Sequence, residues 1–309
     1  MLTFAWPKGP TYWLEGNTLF ISIPFTWNLP EVRVKLMQSA FSYSSVVVGG
    51  PAVKLMPGYF SMLDFVREGD NYPGVLQKVN PLATHTTTGC IRHCKFCGIG
   101  QGKIEQGGFK ELDDWPDLPL ICDNNLLASS VGHFDKVIDR LKKWRSPDFN
   151  QGLDIRLLNE YHARRFAELK QPKIRLACDD INEKERWTDA VELLLQCGVR
   201  RSWISTYALI GFDSGPDECW QRCEYINQIG TCNPMWFHSI NDVLPVNSIS
   251  PEQLLMGWTS RERIKIMRKF YKAKFGGYVK SVFPPSSTNS ELSSSSRRVL
   301  NITKITKES

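Results

Sequence analysis

Apolar positions along the chain alternate between short unbroken runs and stripes at three- and four-residue spacing. That is the rhythm of strands followed by helices. Leu19-Phe20-Ile21-Ser22-Ile23 predicts a buried strand. Pro30 opens a helix with Val34, Met37 and Phe41 on one face. Ser45-Val46-Val47-Val48 predicts a second strand, closed by Gly49-Gly50-Pro51. Strand, helix, strand make one parallel βαβ step, so residues 1–80 read as a small α/β unit.

From residue 81 to 250 the rhythm continues for longer. Ala83–Thr87 is β-branched and strand-like, and runs into a cysteine-rich loop and then Gly98-Ile99-Gly100-Gln101-Gly102. Leu118–Cys122 predicts a strand ending in Asp123-Asn124-Asn125. Phe134, Val137, Ile138 and Leu141 mark one buried helical face. Phe149–Ile155 predicts the next strand, and Asn159 a cap for a helix over Tyr161–Leu169. Ile174–Cys178 predicts a strand ending at Asp179-Asp180, with Asp179 expected as the cap of a helix from Glu183 to Cys197 that stops at Gly198. Trp203–Ile210 predicts a long strand closed by Gly211. A helix from Pro216 to Ile229 stops at Gly230, and Met235–His238 predicts a last strand.

About six βα units in succession, with short right-handed connections, wind into an open or partial α/β barrel. In such folds chemistry sits at the carboxyl ends of the strands. The cysteines, Asp123-Asn124-Asn125, Asp154 with Arg156, and Asp179-Asp180 all fall at such ends. That coincidence points to an enzyme.

After residue 250 the pattern changes. Leu254–Lys274 predicts one basic helix, carrying Arg261, Arg263, Lys265, Arg268, Lys269, Lys272 and Lys274. Residues 285–309 are expected to form a disordered tail, being rich in serine and polar residues at 285–297.

Charge follows the same division. The formal net charge of the 309 residues is +6. Residues 251–309 hold 12 Lys and Arg against 4 Asp and Glu, and the first 250 hold 26 against 28. The body is near neutral and does not look like a general nucleic-acid binder. No stretch approaches the ~20 apolar residues of a membrane span. The first residues lack the pattern of a secretory signal, so the expected compartment is the cytoplasm and no membrane partner is expected. The nine cysteines are then expected as reduced thiols.

Three of them form Gly89-Cys90-Ile91-Arg92-His93-Cys94-Lys95-Phe96-Cys97, a C-x3-C-x2-C spacing. Three thiolates on one loop can ligate three irons of a 4Fe-4S cubane and leave the fourth iron open. The alternative is structural zinc, with His85 or His93 completing a Cys₃His set. Cys219, Cys223 and Cys232 are expected as packing residues, with an auxiliary cluster as the alternative.

The cysteine spacing, with an aromatic before the third cysteine and a strand before the first, resembles the radical S-adenosylmethionine superfamily. Phe149–Arg156 and Tyr207–Phe212 look like its MiaB/NifB-type subgroup. The resemblance implies a partial (β/α)6 barrel preceded by a small Rossmann-like α/β unit. It implies a 4Fe-4S cluster on Cys90, Cys94 and Cys97, S-adenosylmethionine as cofactor, and a reducing partner such as flavodoxin or ferredoxin. The 5′-deoxyadenosyl radical formed from that cofactor takes hydrogen from a substrate that the residues do not identify.

Carried over by position, Phe96 is the residue whose backbone approaches the adenine, and Asp123-Asn124-Asn125 takes the place of a glycine-rich acidic motif that binds the methionyl amino group. This chain lacks that motif's two glycines. Gln151, Asp154 and Arg156 fall where ribose hydroxyls and the carboxylate are held, and Gly211 lies on the strand along the adenine. A salt bridge is the alternative role for Asp154 and Arg156. Val46–Ala52 looks like part of a cobalamin-binding domain, but the cobalt-ligating D-x-H-x-x-G signature is absent and cobalamin is not expected. Two further readings stand beside this one: a metal-stabilised nucleic-acid-binding module using the basic helix, and a radical enzyme acting on tRNA or another nucleic acid.

Overall fold

The protein begins with a four-stranded sheet whose outer strand the hydrophobic pattern does not announce. A computed structural model describes residues 6–38, 43–69, 72 and 74–271. Strand β1 (Thr11–Glu15) pairs antiparallel with β2 (Thr18–Ser22). Helix α1 (Leu29–Gln38) crosses to β3 (Ser45–Gly49), which is parallel to β2. After α2 (Pro51–Leu55), strand β4 (Val66–Glu68) adds a further parallel partner, and the order is β1-β2-β3-β4.

The expected βαβ step is present, but α1 turns a different face inward. Leu29, Val32 and Leu36 are buried, whereas Val34 and Met37 are 53 % and 59 % exposed. Three members at i, i+3 and i+7 make a longer stripe than Val34 and Met37 alone. Phe41 lies outside the described residues.

Next come α3 (Val75–Val79), β5 (Ala83–Thr84), β6 (Thr87–Thr88), β7 (Lys110–Glu111), β8 (Leu120–Ile121), α4 (Val131–Leu141), β9 (Asp148–Phe149) and α5 (Glu160–Ala167). They are followed by β10 (Ile174–Ala177), α6 (Lys184–Gln196), β11 (Ile204–Ile210), α7 (Pro216–Ile229) and β12 (Cys232–Trp236). β5, β8 and β9 form one parallel sheet, and β10, β11 and β12 another. Parallel bridges Asp148–Lys173 and Leu153–Leu176 join the two. The architecture is mixed α/β with several sheets, and no closed barrel forms among the described residues.

Local signals explain the helices here. Ser130 accepts a hydrogen bond from the His133 amide, and Asn159 accepts one from His162, each satisfying a free first-turn N–H. The stripe Phe134, Val137, Ile138 and Leu141 is buried as expected. The predicted strand Phe149–Ile155 is shorter, since the ladder holds only Asp148–Phe149 and Leu153 returns for a single bridge. The segment 83–87 is likewise divided between β5 and the antiparallel β6–β7 pair.

The basic stretch after residue 250 is two helices, α8 (Pro251–Leu255) and α9 (Ser260–Phe270). Gly257, at φ +87°, ends the first, and Thr259 caps the second. Helix α9 docks through buried Arg263, Ile266 and Phe270. Lys272, Lys274 and the expected tail lie outside the described residues.

Two apolar clusters hold the molecule. One packs α1 and α2 on the first sheet around Ile21, Ile23, Val48 and Phe60. The larger one fills the space between the parallel sheets and helices α4–α9 around Phe134, Phe166, Trp187 and Trp258. The indole N–H of Trp187 reaches Thr206 Oγ1 at 3.0 Å, and that of Trp258 reaches the Ser214 carbonyl at 2.8 Å, so neither buried donor is orphaned.

Candidate iron–sulfur and cofactor site

The loop after β6 carries Cys90, Cys94 and Cys97 as three half-buried free thiols. Its backbone is closely determined. Gly100 lies beneath Cys94, where an added Cβ would stand 2.6 Å from both the Cys94 nitrogen and oxygen. The Cys97 amide donates to the Cys94 carbonyl at 3.1 Å, and Gln101 donates to the Cys97 carbonyl at 2.9 Å. At the loop's start, Glu105 Oε2 accepts from the Gly89 amide and from Asn124 Nδ2, both at 2.7 Å. Glu105 thus clamps the loop to the chain that follows β8.

A charged group beyond β9 meets this loop. Asp154 is 8 % exposed and accepts from Arg92 Nε at 2.8 Å and from Arg156 Nε at 2.6 Å. Burial opposes its ionisation, but the two guanidinium hydrogen bonds outweigh that and hold the carboxyl below the usual carboxylate range. Asn125 Nδ2 lies 3.4 Å from Asp154 Oδ2 and 3.7 Å from Cys90 Sγ. Burial pushes the Cys94 thiol up, and the Arg156 charge pulls it back down. Cys97, Cys90 and Asp179 also act on Cys94 through their charges, so the three thiols, Arg156 and Asp179 share one electrostatic environment.

Asp179, just past β10, is not the helix cap that the sequence suggests. Its Oδ1 accepts the Leu209 amide at 2.9 Å, while Asp180 caps the following turn through the Asn182 amide. Burial raises the Asp179 carboxyl above its ordinary range. Behind it lies Arg222, 1 % exposed, which donates to the carbonyls of Asp179 and Leu209.

The other expected site residues are distributed unevenly. Asp123 is 4 % exposed, and its oxygens accept from the Thr86 and Thr87 amides at 2.6 and 3.1 Å and from the Thr86 hydroxyl. It acts on the cysteine loop from behind, through the residues that lead into it. Asn124 turns to Glu105 and Asn125 to Cys90 and Asp154. Phe96 meets Phe212 edge-on at 5.5 Å, and Phe212 meets Phe237 edge-on at 4.9 Å, making an aromatic wall beside the loop. Gly211 has φ +81°, and a Cβ there would sit 2.5 Å from the Trp236 ring. Gln151 is exposed and is not drawn into these contacts.

Arg92 and Glu105 are the site residues that sequence reasoning did not single out. Arg92 lies inside the cysteine motif, so its place among the three cysteines was visible. Nothing in the sequence marks Glu105 as the loop's clamp.

In chemical type, three thiols on one loop are the donors an iron–sulfur cluster takes. Three thiols stand on one loop with a charged and polar face opposite, and His93, a candidate fourth zinc ligand, is exposed. Among the described residues no three His, Cys, Asp or Glu side chains, Cys90, Cys94 and Cys97 included, converge as a ready metal cage. Cys219, Cys223 and Cys232 are 0 % exposed within the larger apolar cluster, which is the expected packing role. Among the described residues no helix is long and apolar enough to cross a membrane.

No protein-family profile matches this chain, and no curated protein matches it in sequence. Among solved structures, it is similar to the cobalamin-dependent S-adenosylmethionine radical enzyme OxsB with aqua-cobalamin bound. That match has a TM-score of 0.38 and 10 % identity, and covers 78 % of this chain and 45 % of that one. The chain therefore spans less than half the length of that enzyme.

Proposed function

We propose that this protein is a radical S-adenosylmethionine enzyme of partial (β/α)6-barrel type, with Cys90, Cys94 and Cys97 each binding one iron of a 4Fe-4S cluster. The observation that carries this reading is the cysteine loop itself: three half-buried thiols on a glycine-anchored loop after β6, tied to Asn125 and Asp154 beyond the parallel strands β8 and β9 and in the field of Arg156. Once bound, such a cluster supplies the electron that cleaves the sulfonium of S-adenosylmethionine.

The chain's own side chains then divide the remaining tasks. Arg156 presents a guanidinium suited to a carboxylate, and Asp154 fixes its direction. Asn125 Nδ2 is placed to donate to the Cys90 sulfur and so helps to fix its direction. Asp123 holds Thr86 and Thr87, and so the entry to the loop, in one conformation. The Phe96–Phe212–Phe237 wall keeps water from one side of the loop. Asp179 stands across the loop with a carboxyl that burial keeps ready to hold a proton.

The test is anaerobic reconstitution with iron and sulfide, then reduction with dithionite in the presence of S-adenosylmethionine. Slow release of 5′-deoxyadenosine is expected even without substrate, with loss of that activity in Cys97→Ala. A wild-type cluster that assembles and is reduced, yet yields no 5′-deoxyadenosine, overturns the reading.

A further inference from the structure

At the opposite ends of the same strands lies a second concavity, of about 430 Å³, lined by Lys143, Arg145, Lys170, Gln171, Arg200 and Trp203. Its residues come from three consecutive connections, each leading from a helix into a parallel strand. Lys143 and Arg145 lie between α4 and β9, Lys170 and Gln171 between α5 and β10, and Arg200 and Trp203 between α6 and β11. Ser146 Oγ donates to the Gln171 carbonyl at 3.2 Å and ties the first connection to the second.

The charge of this cavity is unusual for its surroundings. On the neighbouring faces of α4 and α5 the basic side chains are paired: Arg140 with Asp114, Lys142 with Asp139 and Glu168, Arg164 with Glu160, and Arg165 with Asp135, Asp139 and Glu168. Lys143 pairs with Asp117. Arg145, Lys170 and Arg200 form no ion pair with any described carboxylate, and Arg200 lies over the Trp203 ring at 5.1 Å. Like charges gathered in one concavity without a counter-charge repel one another, and a bound anion removes that cost. A half-buried indole lining the cavity beside three cations without ion pairs suits a phosphate carrying a base.

We propose that this cavity binds the phosphate groups of a nucleotide or a single-stranded polynucleotide. The cations engage the phosphates, and the half-buried Trp203 indole lines the cavity beside them where a base would lie. The inference does not rest on the cysteine loop or on its proposed chemistry, from which the cavity is separated by the length of the strands. It locates phosphate recognition in the body of the protein, away from the basic stretch after residue 250.

The test compares the full-length wild type with Arg145→Glu/Lys170→Glu/Arg200→Glu. All three side chains are exposed, so the variant is expected to keep the wild-type melting temperature. A neutral Arg145→Gln/Lys170→Gln/Arg200→Gln protein serves as a second comparison. Fluorescein-labelled single-stranded oligouridylate is titrated in low salt, with uridine monophosphate and inorganic phosphate as competitors. Binding by the wild type and at least about tenfold weaker binding by the charge-reversed variant are expected. The slope of log K against log salt should fall by about 2, since three contacts each release about 0.7 counterion.

A labelled strand that binds far more tightly than uridine monophosphate identifies a polynucleotide as the source of the phosphates. Equal affinities identify a free nucleotide. Absence of binding by all three probes, or equal binding by wild type and both variants, overturns the proposal. Equal binding would place the contact in the basic C-terminal residues, which all these proteins retain.

Discussion

Arg92 Nε and Asp154 Oδ2 meet at 2.8 Å across 62 residues of sequence, joining the inside of the cysteine motif to the segment beyond β9. The same carboxylate holds Arg156. Asp154→Asn leaves two partly exposed guanidinium groups without their shared counter-charge. We expect a loss of about 2 kcal/mol, less than a fully buried pair would show because water screens both arginines. Urea unfolding of the two proteins measures it. The Asp154 carboxyl titrates lower in the folded than in the unfolded state, so its contribution is complete above the ordinary carboxylate pKa. It is lost as pH falls through the lowered value.

Iron and acid-labile sulfide should separate the two groups of cysteines. Cys90→Ala, Cys94→Ala and Cys97→Ala are each expected to lose most of both after anaerobic reconstitution. Cys219→Ala, Cys223→Ala and Cys232→Ala should keep wild-type iron and sulfide but lose about 1–2 kcal/mol of stability through the small cavities left behind. Iron loss in Cys223→Ala would instead revive an auxiliary cluster.

Gly211→Ala tests the turn after β11. A Cβ there meets the Trp236 ring at 2.5 Å in a backbone conformation that L residues rarely adopt. The cost should be about 2–4 kcal/mol, as overpacking and left-handed strain add. Adding Trp236→Ala removes only the overpacking part, so the double variant should be more stable than the two separate losses imply. Simple additivity in chemical denaturation would show that the ring is not the obstacle.

His238 sets an acid limit. Burial lowers its pKa to about 4, helped by the nearby Arg263 charge and opposed by Asp242. Its Nε2 accepts the Asn247 amide at 3.2 Å, a bond that protonation breaks. The unfolded chain takes up this proton first, so stability should fall as pH drops from about 6.5 to about 4. With its partial exposure allowed for, the loss is about 2 kcal/mol. Burial lowers the His133 and His162 pKa values too, which steepens the slope. Melting temperatures across this range should fall less steeply for His238→Gln, and an unchanged slope would refute the assignment.

Much of this organisation was legible wherever one short segment carries its own cause. Asn159 caps α5, Gly198 ends α6, and the buried face of α4 is written at three- and four-residue spacing. The cysteine spacing is legible for the same reason, because three cysteines lie within eight positions. Strand β1 was missed although Gly16-Asn17 between two β-rich runs is a hairpin signal. The division between α8 and α9 was hidden by apolar residues on both sides of Gly257, Leu254 and Leu255 before it and Trp258 after it. The tie from Arg92 to Asp154 and the clamp by Glu105 were not legible, since each joins distant segments and neither follows any local period. Asp123 was read as facing a ligand because its strand end is where ligands bind. The structure spends its oxygens on Thr86 and Thr87 instead.

The cysteine loop is shaped by Gly100, by the turn from Cys94 to Cys97 and by Glu105, none of which requires a metal. On the proposed reading, folding comes first and metal loading second, with little ordering entropy left for the later step. Under air the same arrangement is a hazard. Half-buried thiols on one loop are open to oxidation, so on the proposed reading the order of exposure to oxygen and to iron sets how much cluster can assemble.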